Sequence, residues 1–479
     1  VRVIGEGGNL GVSQRGRIEY ALAGGRLNTD FIDNSAGVNT SDVEVNLKIL
    51  LNGLEKAGKL ARAQRNRLLR SMTREVASLV LRNNYLQSQA ISTLALSASV
   101  RLPEYHQVIR ALERGGDLNR EIEFLPADED IAERARLGLG LTRPEIAVVL
   151  AYSKIWLSHQ LLHSNVPEDP YLSRELERYF PRAVRERFPQ AIARHRLRRE
   201  IIVTATTNSL VNRMGPTFVL RAQADTGADP AQIARAYTIA REVFDMRDLW
   251  AEIEALDNRV AASAQYGMME RTSAVMRHVS YWLLGARRRE LHVDRAVAEF
   301  RGATGQLAQT IGTLVTGCDR ERYQGLRAKL IAAGIPARLA ERVAGLEALE
   351  AAFDVIELAK QHRERVLEVG KLYFELGERT GLDWLREQIG ALKVDGQWQP
   401  IARMGLREQA ARVHRRLTED VLKRGSRAAV AVRVTAWVGA LGAQYEPWRR
   451  TLTDMRAAGK ADFATLSVGV EAVRKLAEE

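Results

Sequence analysis

At 479 residues the chain is long enough for several domains whose cores need neither disulfide nor metal staples. Its single cysteine, Cys318, excludes an internal disulfide and points to a reducing, cytoplasmic setting, and no uninterrupted apolar run is long enough to cross a bilayer. The formal charge of +12 invites a nucleic-acid partner, yet the first 52 residues hold five basic and six acidic side chains, and the excess lies downstream as arginine scattered over helical patterns.

The chain begins with Val rather than Met, already inside a strand-like run, so it is expected to lack an N-terminal part. Val3-Ile4 meets glycine-rich sequence at once: Gly5, Gly7 and Gly8 surround Glu6 and end on Asn9. Glycines just after a strand let the backbone turn tightly and approach a ligand. Some twenty residues on, Asn28, Asp30, Asp33, Asn34, Ser35, Asn39, Thr40, Ser41 and Asp42 crowd together, with Phe31-Ile32 and Val38 among them like core residues. A helix follows, apolar at Val43, Leu47, Leu50 and Leu54. The pattern predicts two strand-ends, each bringing a polar loop to one place, as open α/β sheets do.

After Leu54 the pattern is helical. Arg62 to Leu86 reads as one helix and Gln87 to Leu102 as its partner, ended by Pro103; a short helix then stops at Gly115-Gly116. Residues 118–140 read as a charged helical connector. Thr142-Arg143-Pro144-Glu145 is the clearest helix start, with a capping threonine, an acid three residues on and a proline in the first turn. The helix it opens is apolar on a broad face, which suggests a central position. His159 and His163 on it have an i, i+4 spacing without further ligands, a weak metal signal.

The densest basic patch follows, with Arg178, Arg182, Arg185, Arg187, Arg194, Arg196, Arg198 and Arg199. It carries no aromatic interleaving suited to base stacking, and reads as a solvated or interdomain face. Residues 201–214 mix Thr204, Thr206, Thr207, Asn208, Ser209 and Asn212 with aliphatic residues, as in a helix whose polar groups meet a neighbour. The remainder reads as successive bundle helices, with Trp250 as a core anchor, a loop at 394–400, and Ala428 to Leu441 as the most apolar late helix. Cys318 has no histidine near it in sequence and gives no sign of nucleophilic chemistry. The fold class is therefore mainly α: a small α/β remnant of a Rossmann-like dinucleotide-binding domain at 1–54, then a helical domain at 55–479, subdivided near 215–230 and 390–405.

Glu6-Gly7-Gly8-Asn9 resembles the Glu-Gly-Ala-Asn segment after the last strand of the dinucleotide domain in glutamate dehydrogenases. Asn34-Ser35-Ala36-Gly37-Val38 is similar to the Asn-Ala-Gly-Gly-Val loop of that family, with Ser41 at the place of its substrate-contacting serine and Asn46 near an asparagine of the same helix. Ser35, Ala36 and Asp42 depart from the commoner enzymes. Residues 15–37, 142–159 and 199–215 look most like the large bacterial NAD-specific type, so the chain resembles the C-terminal part of such a protein.

The resemblance implies NAD as cofactor, held at Gly7, Gly8, Asn9 and Asn34, with Ser41 contacting the distal carboxylate of L-glutamate and 2-oxoglutarate as product. Ser41-Asp42-Val43-Glu44 also reads as a capping box, which would give Ser41 an N-cap instead; Thr40 could cap in its place. Glu6 and Asp33 read as loop-structuring groups. The lysines that bind glutamate and activate water, the proton-shuttling aspartate and the Gly-x-Gly-x-x-Gly loop of the family are expected upstream, so this chain is expected to be inactive alone, and the full protein a homo-oligomer. Two other readings stand beside this one: a non-catalytic helical scaffold or protein-binding module, and nucleic-acid binding through residues 178–199.

Overall fold

The computed structural model describes residues 1–286, 291–394, 398–459 and 461–477. They form two compact units, one of Val1–Ile239 with Ser280–Asp294 and one of Ala240–Val279 with Arg295–Glu479. Both are built of helices, as the periodicity predicts.

The expected strand pair is reduced to its minimum. Val3 and Arg26 form one isolated parallel bridge, in which Ile4 N donates to Arg26 O at 2.9 Å and Arg26 N to Arg2 O at 3.0 Å. No strand forms among the described residues, so the α/β remnant is not borne out. A parallel pair is stable as part of a wider, covered sheet, and here Val3 stays exposed. Of Phe31, Ile32 and Val38, which read as core residues, only Ile32 is buried, in the one-turn helix Asp30–Asp33; Phe31 and Val38 are exposed.

Asn34 ends that turn and opens the next helix, Ser35–Lys56, so this helix begins well before the Ser41 start its capping pattern suggests. Its buried stripe, Val43, Leu47, Leu50 and Leu54, is the expected one. The two helices expected over 62–102 are one, Arg62–Leu96, because no glycine or proline near Leu86-Gln87 interrupts the backbone ladder. It packs along Ser35–Lys56. In the expected connector only Asp128–Arg136 is helical.

The Arg143–Leu162 helix is the axis of the first unit. Ile146, Ala147, Val148, Val149 and Leu150 are buried in succession, the mark of a helix whose first half is covered on all sides. Helices Gln14–Leu22, Arg62–Leu96, Leu102–Arg114 and Arg198–Met214 surround it. Its expected capping box forms: Glu145 reaches back to Thr142 N at 2.6 Å and accepts from Thr142 Oγ1 at 2.8 Å. The same carboxylate, fully buried, takes both arms of Arg134 at 2.7 and 2.9 Å. One acid thus starts the central helix and anchors the preceding one.

The second unit is a bundle around stacked Phe300 and Phe353, ring centroids 4.2 Å apart, and the buried Trp437 and Trp448. Trp448 Nε1 donates to Thr380 O at 2.8 Å. Trp250 is a core anchor as expected, with Nε1 2.9 Å from Thr272 Oγ1. Cys318 opens the Gly317–Ala332 helix, its amide donating to Asp383 at 2.8 Å; burial and the Asp383 carboxylate push its thiol up to about 12, which keeps it protonated. The loop expected at 394–400 falls in part on 395–397, outside the described residues. No described helix is long and apolar enough to cross a membrane.

Replacing Arg134 by Met strands the Glu145 carboxylate in the core. Loss of one partner from a buried pair costs about 3 kcal/mol, and this should appear as a lower urea midpoint for the first unit. Arg136→Met, which breaks only the exposed pair with Glu133, should leave the midpoint unchanged.

Candidate functional site

The two polar loops flank the bridge and are fastened to each other by charge. Glu6 and Arg17 are both buried; Arg17 Nε and Nη2 meet Glu6 Oε2 and Oε1 at 2.5 and 3.1 Å, and Nη2 also lies 3.1 Å from Asp30 Oδ1. Glu6 Oε1 further accepts from Val12 N at 2.9 Å, closing its own loop. Asp33 Oδ2 accepts from Glu6 N at 3.1 Å and Asp30 Oδ2 from Leu10 N at 3.0 Å. Glu6 and Asp33 thus hold the loops in register.

At the exposed edge of this fastening, Asn34 Nδ2 donates to Asn9 Oδ1 at 2.7 Å. The structure therefore brings together two of the residues singled out in sequence. The pairing leaves an amide NH2 on Asn9 and an amide oxygen on Asn34 with no partner among the described residues. A donor on one amide and an acceptor on the other are the complement of a primary carboxamide, which presents the reverse pair. A side chain grown at Gly5, Gly7 or Gly8 would meet nothing within 4 Å, and none of the three has positive φ. Their bareness leaves open space beside Asn9, so the residues present fit the carboxamide end of a nicotinamide cofactor.

Ser41 is exposed but not at a helix start. It lies seven residues beyond Asn34, about 10 Å along the axis at 1.5 Å per residue, inside the Ser35–Lys56 helix. The capping-box reading of Ser41 fails, as does capping by Thr40, whose hydroxyl donates back to Ala36 O at 2.8 Å. Seven residues make about two turns, which places Ser41 and Asn34 on the same side. Asn46 turns inward: its Nδ2 donates to Tyr179 OH at 2.8 Å, and its carbonyl lies 3.1 Å from His195 Nε2. Burial lowers the His195 pKa, which favours a neutral ring there.

Sequence reasoning missed the groups that hold the Asn34 turn from behind. Asn84 Nδ2 lies 2.8 Å from Ile32 O, 3.2 Å from Asp33 O and 2.9 Å from Ser35 Oγ. Gln87 Nε2 donates to Ser35 Oγ at 3.3 Å, and Lys154 Nζ to Gln87 Oε1 at 3.1 Å. Arg143 joins Asn28, 2.8 Å from its Oδ1, to Ser92, while Asn28 donates to Asp33 at 2.8 Å. The available signal was the pair Asn83-Asn84 inside a long helix, where asparagine is a poor helix former.

Part of the arginine patch is engaged by local contacts. Arg182 pairs with Glu186 and Arg178 with Glu175, while Arg199 bonds Glu168 and Leu162 O. His163 Nδ1 lies 2.8 Å from His159 O, and the described residues contain no metal-binding cluster. The polar segment 201–214 is a helix facing its neighbours, with Ser158 Oγ 3.3 Å from Thr207 Oγ1 and Arg213 bonded to Gln89.

The sequence is similar to known proteins along nearly its whole length. A family model for the bacterial NAD-glutamate dehydrogenase catalytic domain matches residues 1–94, and one for the glutamate dehydrogenase C-terminal region matches residues 138–475. The chain is 42% identical to an NAD-specific glutamate dehydrogenase of Pseudomonas aeruginosa and 40% to one of Halomonas elongata, in each case over 100% of this chain and 30% of the relative. It is 36% identical to that of Mycobacterium tuberculosis over 99% of this chain and 29% of the relative. The chain thus spans about a third of the length of these relatives.

Two measurements test the support of the Asn34 turn. Asn84→Ala removes the donor to two carbonyls and a hydroxyl, at about 1–2 kcal/mol, and should speed amide exchange over residues 32–37 while the buried core of the Arg143–Leu162 helix keeps its protection. Burial without a carboxylate partner lowers the Lys154 pKa from 10.5 to about 7. Between these values the unfolded chain binds more protons than the folded one, so the penalty is full below about 7 and fades as pH rises toward 10.5. Lys154→Met should therefore raise the melting temperature at pH 6–7, with the gain shrinking at pH 10.

Proposed function

The chain belongs to the bacterial NAD-specific glutamate dehydrogenases, and from that premise we propose that it forms one wall of their catalytic cleft together with the helical domain that braces it. In this reading residues 1–54 complete the catalytic, NAD-binding part and residues 55–479 form the C-terminal helical domain. The full-length protein would convert L-glutamate, NAD and water into 2-oxoglutarate, ammonia and reduced NAD, in the cytoplasm and as a homo-oligomer. Bound NAD supplies the hydride acceptor.

The observation that carries the proposal is the Asn9–Asn34 amide pair, with its free donor and acceptor beside bare glycines. These amides would fix the carboxamide and so the face the nicotinamide presents. Orienting two reacting carbons in this way accounts for much of the barrier reduction in a hydride transfer. Ser41, on the same side of the helix, would donate its hydroxyl to the distal carboxylate of glutamate. Glu6, Arg17 and Asp33 would keep the wall rigid without touching either ligand.

Nothing in residues 1–54 supplies the family's substrate lysines or proton-shuttling aspartate; Lys48 pairs with Glu44 at 2.6 Å on the helix surface. The 479-residue chain is therefore expected to show no glutamate-dependent reduction of NAD, whereas the full-length protein turns over. In that protein Asn34→Ala should lower kcat/KM for NAD about tenfold, the value of one hydrogen bond near 1.4 kcal/mol. Ser41→Ala should raise KM for glutamate about 10- to 100-fold, as for a hydrogen bond to a charged group. Turnover by the isolated chain, or an Asn34 variant with unaltered NAD kinetics, would refute the assignment.

A further inference from the structure

Two cations of the central helix reach the turn that carries Asn34 from behind. Arg143 and Lys154 are eleven residues apart on the Arg143–Leu162 helix, about three turns, so they lie on one face some 16 Å apart along its axis, by the rise of about 1.5 Å per residue. Each works through one side-chain amide. Arg143 Nε and Nη2 donate to Asn28 Oδ1 at 3.1 and 2.8 Å, and Asn28 Nδ2 donates to Asp33 Oδ1 at 2.8 Å. Lys154 Nζ donates to Gln87 Oε1 at 3.1 Å, and Gln87 Nε2 to Ser35 Oγ at 3.3 Å. The two relays thus end on the residues immediately before and after Asn34. The first goes further, since the other oxygen of Asp33 takes Glu6 N at 3.1 Å and so reaches the loop of Asn9.

Cations at these two places have a chemical reason. An amide side chain can turn either its oxygen or its NH2 to a neighbour, whereas arginine and lysine only donate. Each cation therefore holds the oxygen of its amide toward the central helix and leaves the NH2 to face the turn. A reversed Asn28 would set its oxygen against the Asp33 carboxylate, acceptor against acceptor. Lys154 makes the point most sharply. Its one partner among the described residues is Gln87, and a desolvated ammonium without a carboxylate is destabilising; packing alone would be served better by an apolar side chain. We propose that Arg143 and Lys154 are positioning residues for the nicotinamide carboxamide: by orienting Asn28 and Gln87 they set Asn34 in the attitude that its pair with Asn9 requires. The proposal rests on the reading of the Asn9–Asn34 pair given above, and gives neither cation a contact with a ligand. Asn84 shares Ser35 with Gln87, so loss of Lys154 loosens the turn without releasing it.

Steady-state kinetics of the full-length protein with NAD and with acetylpyridine adenine dinucleotide test it. The analogue carries a methyl ketone in place of the carboxamide and has no NH2 for the Asn34 oxygen to accept, so the ratio of the two kcat/KM values reads that one contact. Asn34→Ala should lower the ratio of NAD to analogue about tenfold, and Arg143→Gln and Lys154→Met should each lower it about threefold, part of the worth of a hydrogen bond. General destabilisation would slow both cofactors alike and leave the ratio in place. Lys154→Met separates the two effects further, because it is expected to melt higher than the parent at pH 6–7 and still discriminate less; it decides the matter alone should Arg143→Gln fail to fold. The proposal is overturned if Asn34→Ala lowers the ratio and either folded variant keeps the parental value. A ratio unchanged by Asn34→Ala itself refutes the carboxamide reading, and the positioning role falls with it.

Discussion

The candidate site depends on one buried ion pair. Arg17 and Glu6 are withdrawn from water, and such a pair is stable only when geometry is good and the remaining donors and acceptors are met. Here they are met: Gln14 Oε1 takes Arg17 Nη1 at 3.2 Å, Asp30 takes part of the charge and Val12 N completes Glu6. The consequence is geometric more than energetic. With Glu6 fixed, its amide reaches Asp33, and the loop beyond it sets Asn9 against Asn34. Apolar side chains of equal volume could hold the two loops together, but they would not specify the register that places two amides 2.7 Å apart.

The helical remainder enters the site through polar contacts from behind. Asn84, Gln87, Lys154 and Arg143 come from two helices that otherwise bury aliphatic faces; Asn84, Gln87 and Arg143 bond residues 28–35 directly, and Lys154 acts through Gln87. Arg62–Leu96 and Arg143–Leu162 are long and packed against each other, which makes them stiff supports. A loop held by a side-chain amide from a rigid helix keeps its shape without a sheet beneath it. This explains how the Asn34 turn is ordered although the strand pair shrinks to a single bridge.

Helical character, the Thr142 start, the Val43–Leu54 stripe and the Trp250 core position were legible because each follows from local periodicity or capping chemistry. The same local rules misplaced the start of the Ser35–Lys56 helix. Ser41-Asp42-Val43-Glu44 satisfies the capping pattern, but Asn34 already ends the Asp30–Asp33 turn, and no residue between 35 and 41 forbids helix. Leu86-Gln87 was read as a boundary where the backbone had no reason to stop. Asn9 and Asn34 could be named from their loops, but their mutual hydrogen bond could not, since it rests on a buried pair eleven residues apart in sequence. Asn84, Gln87 and Lys154 were hidden for a plainer reason: their partners lie 49 to 67 residues away.

The early start of that helix changes what Ser41 can offer a carboxylate. At an N-terminus, a serine acts together with free backbone N–H groups and the positive end of the helix dipole. Two turns in, the amides are committed to the helix and the dipole has faded within the first turn. Ser41 is left with its hydroxyl, a single neutral donor that positions a carboxylate without neutralising it. The compensating positive charge has to come from elsewhere, and the only lysine in residues 1–54, Lys48, is engaged by Glu44. The first amides of the helix instead lie around Ser35–Val38, next to the Asn9–Asn34 pair, and Gly37 N is already given to Asn34 O at 3.1 Å. In the proposed cleft the substrate carboxylate would therefore depend on cations from the facing wall.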